Sequence, residues 1–267
     1  MTYEVLAIRY ATRDSSRARN FLDRDPHDAP MPMDYYVWVI RNAARTVVVD
    51  TGFGPEVARR RGRELLRTPA EGLALVGVDA AAVRDVVITH LHYDHVGTFQ
   101  DFPAARFHLQ DREMAYATGR HMAHGHLNHG FEVDEVAGMV RLVYGDRVRF
   151  HDGEAALAPG ISLHRIGGHT DGLQCVRVDT ARGPVVLASD ASHYYEHFER
   201  NRAFTTMFDV GAALEGYATL RRLAGAEQRI VPGHDPLVMR RYPALCSALE
   251  GIVVRLDVDP RDKHQTP

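Results

Sequence analysis

The segment Thr89-His90-Leu91-His92-Tyr93-Asp94-His95-Val96-Gly97 places four potential metal ligands within six residues, directly after an apolar run at 86–89. His90 and His92 are two residues apart, so in an extended segment their side chains face the same way and can share one metal ion. Asp94 and His95 come where we expect the chain to turn into a helix, aimed at a second metal beside the first. Mixed carboxylate and imidazole ligands suit zinc, iron, manganese or cobalt rather than calcium. So many ligands in so short a stretch argue against the alternative of a polar loop with surface histidines.

Polar residues also follow three other apolar runs. Asp50-Thr51-Gly52 comes after 46–49, Ser189-Asp190 after 185–188, and Pro232-Gly233-His234 after 230–231. Side chains that project from the ends of adjacent strands converge on one edge of a sheet, where α/β folds usually place their sites. These patterns predict an α/β protein, but they do not choose between a doubly wound sheet and two packed sheets with helices outside.

Hydrophobic periodicity predicts the individual elements. Strands are predicted at residues 3–10, 35–41, 46–50, 86–89, 161–166, 173–178, 185–188, 230–231 and 252–256. Helices are predicted at residues 56–66, 80–84, 111–118, 210–223 and 243–249.

Taken together, the motifs resemble the signature of the metallo-β-lactamase superfamily. The HxHxDH pattern at 90–95 is similar to the family's first motif, and Gly167-Gly168-His169-Thr170 to its glycine-preceded third histidine. Ser189-Asp190 resembles its bridging aspartate, and Pro232-Gly233-His234-Asp235 its last histidine. With the aspartate turn at 50–52, the resemblance covers most of the chain. It implies a four-layer αββα sandwich, and since no linker or repeat is evident we expect residues 1–267 to form a single domain.

The resemblance implies two divalent metal ions, zinc as isolated, held by seven ligands. The ligands are His90, His92 and His169 for the first metal, Asp94, His95 and His234 for the second, and Asp190 as the bridge. A complete second site favours a two-metal hydrolase over the single-iron persulfide dioxygenases of the superfamily. Two such cations activate a water molecule and polarise an ester carbonyl. Asp94 is then expected to act both as a ligand and as a catalytic base, and Asp50 to support a ligand histidine or the loop around it.

Within the superfamily, the motifs are most similar to those of the N-acyl homoserine lactonase group. That group also contains lactonases acting on vitamin-derived or ring-cleavage lactones, so the expected substrate is a small-molecule lactone of either kind. Family members that quench quorum sensing carry a tyrosine three residues after the bridging aspartate. Here that position is His193, followed by Tyr194. We therefore expect His193 or Tyr194 to perform the catalytic work of that tyrosine.

Two other functions use the same metal ligands. A glyoxalase II-like thioesterase normally has a basic, helical C-terminal extension, and the tail after Pro243 looks too short for it. A non-hydrolytic metal-binding protein of the same fold would be expected to have lost ligands, and none is missing.

The substrate pocket can be predicted only in outline. A carboxylated lactone would need a cation, for which Arg200 and Arg202 are candidates. An acyl homoserine lactone would instead need an apolar groove, for which the candidates are Met31, Met33, Phe53 and Met207. The arginines at 59–61 and 63 are interpreted as the solvated face of a helix, and the histidines at 121, 124, 126 and 129 as the cover of the site or as surface residues.

Composition narrows the remaining possibilities. The 267 residues carry a formal charge of −3, which gives no pull toward nucleic acid or anionic membranes. Cys175 and Cys246 are the only cysteines, so no disulfide framework is implied. The first ten residues do not resemble a signal peptide, and no apolar run approaches the length of a membrane span. We expect a cytoplasmic protein, monomeric or homodimeric, with no nucleic-acid or membrane partner.

Overall fold

The protein is described here by a computed structural model covering residues 2–261. The strands are β1 Glu4–Arg13, β2 Met33–Asn42, β3 Arg45–Val49, β4 Glu64–Leu65, β5 Asp85–Val87, β6 Arg106–Gln110, β7 Val148–His151, β8 Glu154–Ala158, β9 Ile161–Arg165, β10 Gln174–Thr180, β11 Gly183–Ser189, β12 Ile230–Pro232 and β13 Val253–Arg255. The α-helices are α1 Arg17–Asn20, α2 Pro55–Arg61, α3 Pro69–Ala74, α4 Tyr93–Val96, α5 Asp111–Ala117, α6 Gly125–Asn128, α7 Val133–Tyr144, α8 Tyr195–Glu199, α9 Val210–Ala224 and α10 Leu237–Arg241.

The strands form two mixed sheets. The first has the order β13-β1-β2-β3-β5-β6-β7, with β4 also paired to β1, and the second has the order β12-β11-β10-β9-β8. Alternate residues of β1 belong to different cores: Val5 and Ala7 pack between the sheets, whereas Leu6 and Ile8 pack under the outer helices. A strand buried on both faces belongs to an inner layer. Helices flank both sheets, and the predicted αββα sandwich is confirmed.

Parallel pairing brings the predicted ligand segments to one edge. β3 and β5 are parallel, with Val49 opposite Val87, so the turns that follow them leave the sheet side by side. In the second sheet β11 and β12 are parallel, with Ser189 opposite Pro232. Asp190 and His234 therefore also emerge next to each other.

Most predicted strands are present within one to three residues of their expected ends, but three helix predictions differ from the structure. The helix expected over 56–66 ends at Arg61, because Gly62 adopts a left-handed φ of 62° and caps it. The chain then forms β4, which pairs with β1. The segment 243–249 does not form the expected α-helix. The α-helix lies earlier in the chain, as α10 at Leu237–Arg241, and the predicted segment ends in a 3₁₀ turn at Ser247–Leu249. The predicted helix over 80–84 is a 3₁₀ turn at Ala80–Ala82. The elements that were not predicted include α3, α7, β6, β7 and β8.

Helix α7 carries a buried acid that predicts a pH-dependent stability. Glu135 is buried, and its Oε2 has no hydrogen-bond partner among residues 2–261. Burial, assisted by the charge of Glu132, raises the pKa of Glu135 from 4.5 to about 8. Between pH 4.5 and 8, Glu135 is protonated in the folded protein but ionised in the unfolded chain. Its contribution to the free energy of unfolding therefore falls as pH rises through this range.

We expect Glu135→Gln to remove this contribution. The free energy of unfolding of the variant should rise relative to the parent as pH increases from 5 to 8, by at most about 1.4 kcal/mol per pH unit. Denaturant titrations at several pH values measure the difference. Glu56→Gln, at an exposed position on α2, is the control and should show no such trend. A constant difference between Glu135→Gln and the parent would contradict the prediction.

Candidate metal centre

Three imidazoles converge at one end of the first sheet. His90 Nε2 lies 3.0 Å from His92 Nδ1, and His169 Nε2 lies 3.2 Å from His90 Nε2 and 2.9 Å from His92 Nδ1. Ring nitrogens bound to one tetrahedral zinc at 2.0–2.1 Å would be separated by about 3.3 Å. The three nitrogens therefore have nearly the spacing that a shared metal ion requires.

A second group lies directly beside the first. Asp94 Oδ2 is 3.7 Å from both His95 Nε2 and His234 Nε2. Asp190 lies between the groups: its Oδ1 is 3.4 Å from His95 Nε2 and 3.0 Å from His234 Nε2. Its Oδ2 is 3.3 Å from His169 Nε2 and 3.8 Å from His90 Nε2. One carboxylate oxygen thus faces each group, which is the arrangement of a bridging ligand.

Unpartnered buried atoms show that the cluster suits metal ions. His95 Nε2 and Asp190 Oδ1 are buried and have no hydrogen-bond partner among the described residues. A buried polar atom without a partner costs about 1–3 kcal/mol, and here both atoms point into the same space. Imidazole and carboxylate donors with these spacings suit zinc and similar divalent cations. The residues present therefore fit the two-metal group that the sequence implies.

Hydrogen bonds at the far side of the rings fix which nitrogen is free. His169 Nδ1 donates to the Thr206 carbonyl at 2.6 Å, and His234 Nδ1 donates to the Asp34 carbonyl at 2.9 Å. Since a carbonyl can only accept, the proton is on Nδ1 and the lone pair is on Nε2. Such outer hydrogen bonds orient ligand histidines and fix their tautomers.

Asp50 performs the same function for His95. Its Oδ2 accepts a hydrogen bond from His95 Nδ1 at 2.7 Å, and its two oxygens accept from the backbone N–H and the hydroxyl of Thr89 at 2.7 and 2.8 Å. Asp50 is completely buried and has a left-handed φ of 60°. Asp50 thus holds the His95 ring and the backbone of Thr89 in place, which are the contacts expected of a residue that supports a candidate ligand and its loop.

Glu113, at the start of α5, joins two of the ligand loops and was not predicted. It accepts hydrogen bonds from the Leu91 N–H at 2.9 Å, the Thr170 hydroxyl at 2.6 Å and the Gly172 N–H at 3.1 Å. Leu91 lies between His90 and His92, and Thr170 follows His169. Burial raises the pKa of Glu113 to about 7. A glutamate in a short helix far from the motifs gave no sequence signal for this function.

The glycine before His169 is required by close packing. Gly168 has a φ of 85°, and a Cβ there would lie 2.6 Å from the backbone nitrogen of Ala213 on α9. The third ligand loop therefore sits directly against that helix. This contact explains the glycine-preceded histidine that the sequence shows.

Electrostatics divide the histidines into two sets. Burial and the neighbouring imidazoles hold the pKa values of His90 and His92 well below the ordinary value, and burial also lowers the pKa of His169. Burial opposes the charge of His95 and His234 as well, but carboxylates, Asp190 foremost, outweigh it and raise their pKa values. The first group thus offers neutral imidazoles, and the second carries the stronger negative field.

The two candidates for the family tyrosine lie in different places. His193 Nε2 is 2.9 Å from Asp190 Oδ2, and the His193 ring stacks on Phe204 with centroids 3.7 Å apart. The Tyr194 hydroxyl accepts from Asn20 Nδ2 at 2.8 Å and lies 3.1 Å from the Pro32 carbonyl. The structure brings His193 to the ligand cluster and leaves the Tyr194 hydroxyl outside it.

A cavity of about 110 Å³ lies against the ligand cluster. Its lining includes Arg13, Arg61 and Arg63, as well as His129. The interpretation of the arginine run as a solvated helix face is therefore wrong for Arg61 and Arg63. Gly62 ends α2 and redirects the chain, which the sequence pattern did not indicate.

The pocket residues predicted for substrate binding are mostly elsewhere. Arg202 pairs with Asp23 at 2.8 Å and Arg200 with Glu196 at 3.2 Å, and neither lines the cavity. The four candidates for an apolar groove contribute only Met33 to its lining.

Comparison with known proteins defines the class. Residues 31–234 match the family described as Metallo-beta-lactamase superfamily. The chain belongs to this superfamily, as its motifs predicted.

Particular relatives narrow the comparison. The chain is 28% identical over 222 residues to an N-acyl homoserine lactonase of a Bacillus species, a match covering 76% of this chain and 82% of that protein. It is 29% identical over 168 residues to the N-acyl homoserine lactonase AttM of Azorhizobium caulinodans, covering 60% of this chain and 61% of that protein. The matched stretch thus spans about three fifths of AttM.

A solved structure supports the fold. The crystal structure of a quorum-quenching N-acyl homoserine lactone lactonase superposes with a TM-score of 0.74 at 21% identity, covering 88% of this chain and 93% of that one. Within residues 2–261, helices of the length and apolar character needed to span a bilayer are absent.

Proposed function

We propose that the protein is a metal-dependent hydrolase that opens a lactone ring, using two divalent cations held by the seven clustered residues. The observation that carries the proposal is Asp190, whose two carboxylate oxygens face two separate ligand groups. The N-acyl homoserine lactonases among its relatives support a lactone as the substrate. Zinc is the metal to test first, since imidazole and carboxylate donors suit it along with iron, manganese and cobalt.

The chain's own residues suggest how the reaction proceeds. When bound, the two cations would supply Lewis acidity and lower the pKa of a water molecule. Asp94 lines the cavity and is placed to accept the proton of the attacking water and return it to the alkoxide that leaves when the ring opens. The backbone around it is held by Tyr10, whose hydroxyl donates to the Asp94 carbonyl at 3.0 Å.

His193 is proposed to hold the bridging carboxylate in place. Its Nε2 donates to the Asp190 oxygen that faces the first ligand group, and burial lowers its pKa well below the ordinary value despite Asp190. It therefore functions as a neutral donor. Tyr194 is proposed to be structural, because its hydroxyl is occupied by Asn20 and by the backbone of residues 31–32.

Two substitutions distinguish the role of His193 from that of Tyr194. We expect His193→Ala to lower kcat/KM by roughly 10- to 100-fold, the usual cost of losing a group that supports a metal ligand. Tyr194→Phe should lower the melting temperature and leave kcat within a factor of about three, since it loses only buried hydrogen bonds. Metal content is measured in both. Full activity in His193→Ala, or a large loss of kcat in Tyr194→Phe, would contradict these roles.

The proposed function is tested by initial rates of the zinc-loaded protein on lactones and thioesters. The panel contains N-hexanoyl homoserine lactone, γ-butyrolactone, its carboxylated derivative and S-lactoylglutathione. Hydrolysis of at least one lactone with kcat/KM well above that for the thioester is expected. Efficient hydrolysis of the thioester alone would favour the glyoxalase II-like alternative, and turnover of none would favour a non-hydrolytic metal-binding protein.

A further inference from the structure

Three guanidinium groups line the small cavity beside the ligand cluster. Arg13 ends β1, Arg61 ends α2, and Arg63 follows the left-handed turn at Gly62. All three belong to the cavity lining together with Asp94, Asp190 and the histidines. Three separate segments of backbone thus place positive charge at one site.

Only one of these three charges is neutralised by the protein. Arg61 Nε lies 2.7 Å from Glu132 Oε1, and the Arg61 guanidinium packs over the Tyr93 ring at 4.0 Å. Arg13 and Arg63 have no carboxylate within salt-bridge distance among residues 2–261. Arg13 instead lies 2.7 and 3.1 Å from the Met33 sulfur. The remaining two charges are therefore available to a ligand.

Neutral contacts hold these two arginines in place. Arg63 Nε donates to the Tyr93 hydroxyl at 2.9 Å, and its Nη1 donates to the Arg61 carbonyl at 2.6 Å. Arg13 is opposite Met33 in the β1–β2 pairing. Both side chains are only partly exposed, so each is fixed at the cavity wall with donors remaining.

The guanidinium groups of Arg13 and Arg63 would repel two bound dications, and an anionic ligand between them would offset this repulsion. With two dications bound, the positive charges at this cavity would outnumber its two carboxylates, Asp94 and Asp190, and an excess of one sign of charge concentrates ligands of the opposite sign. Arginine is also suited to carboxylates because its planar fork can donate two parallel hydrogen bonds. The volume of about 110 Å³ is below the roughly 300–1,000 Å³ of common ligand pockets. Charge and size both favour a small anionic molecule.

We propose, resting on the lactonase function above, that the substrate is a small lactone bearing a carboxylate, which Arg13 and Arg63 bind. A long neutral acyl chain would gain nothing from these two charges. A larger, mainly apolar cavity of about 730 Å³ lies nearby, lined by residues of α7 and by Phe131. Phe131 forms its wall on the ligand side, with its ring centroid 4.6 Å from that of His92. Phe131 thus lies between the ligand cluster and that cavity.

The first test measures binding of two matched ring-opened products to the zinc-loaded protein by calorimetry. 2-Hydroxyglutarate is the product of γ-butyrolactone-γ-carboxylate and has one more carboxylate than 4-hydroxybutyrate, the product of γ-butyrolactone. The parent should bind 2-hydroxyglutarate roughly 10- to 100-fold more tightly, the usual value of a hydrogen bond to a charged group. Arg13→Met and Arg63→Met should each reduce this ratio strongly.

Controls separate charge from fold. Arg59→Met changes an exposed arginine of α2 that lies outside the cavity lining, and it should keep the parent's ratio. Arg63→Lys keeps the charge without the fork and should give an intermediate ratio, which also covers the case that Arg63→Met folds poorly. A ratio near one in the parent, or a ratio unchanged in Arg13→Met and Arg63→Lys, would overturn the proposal.

The second test compares hydrolysis of γ-butyrolactone-γ-carboxylate with that of its methyl ester and of N-hexanoyl homoserine lactone. The carboxylated lactone should be preferred in kcat/KM by at least about tenfold. Arg13→Met and Arg63→Met should each bring that preference close to one, whereas Arg59→Met should keep it. Hydrolysis of N-hexanoyl homoserine lactone alone would overturn the carboxylate proposal and leave the lactonase function standing. Hydrolysis of no lactone would overturn both.

Discussion

Replacing Asp190 with asparagine is expected to empty both metal sites and to lower kcat/KM by more than about 10³-fold. The carboxylate has one oxygen facing each ligand set, Oδ1 toward His95 and His234 and Oδ2 toward His169 and His90. An amide nitrogen in place of either oxygen cannot act as a ligand there. Elemental analysis and initial rates on a hydrolysed lactone measure the two effects.

Two controls make the Asp190 result specific. His234→Ala removes a residue of the second group alone, so it should reduce the metal content toward one per chain. Asp171 follows the loop of His169, and its side chain pairs with Arg112 and Arg165. The Asp171→Asn protein should therefore keep both metals. Asp190→Asn protein that retains two tightly bound cations would show that the residue does not bridge them.

Replacing Asp94 with asparagine is expected to lower kcat by about 10²–10⁴-fold even when zinc is saturating. Asp94 and Asp190 are the carboxylates among the described residues that line the cavity, and Asp190 is occupied by four imidazoles and His193. Asp94 is therefore the carboxylate that we propose carries a proton between water and the leaving alkoxide. An asparagine can still offer an oxygen ligand but cannot accept that proton.

The chemical role of Asp94 is separated from its role as a ligand by titrating zinc into the variant. If the substitution only weakens zinc binding, more zinc is needed to reach the parent's kcat. If it removes the proton acceptor, kcat at saturating zinc stays below that of the parent. A variant that reaches the parent's kcat at high zinc would contradict proton transfer by Asp94.

Local patterns predicted the cluster because its geometry is largely local. His90 and His92 share a face through their spacing, and Asp190 and His234 follow strands that parallel pairing places side by side. Asp50 was predicted for the same reason, since it directly follows a strand. In each case the strand carries the side chain to the site, and hydrophobic periodicity predicted those strands.

Residues brought in by long-range packing could not be predicted in this way. Arg63 reaches the cavity because Gly62 reverses the chain, and Arg13 because β1 pairs with β2 in a register that ends at Met33. Glu113 bonds to loops that are 22 and 57 residues away in sequence. Tyr194 shows that closeness in sequence does not place a side chain in the site. It is one residue from His193, yet its hydroxyl contacts a different part of the protein.

The most direct test of the two-metal centre is the metal content of protein that has been stripped with a chelator, reloaded with zinc and desalted. Elemental analysis should find close to two zinc ions per chain, because six ligands in two groups share one bridging carboxylate. One ion per chain, or none, would contradict the two-metal centre on which the proposed lactonase function rests.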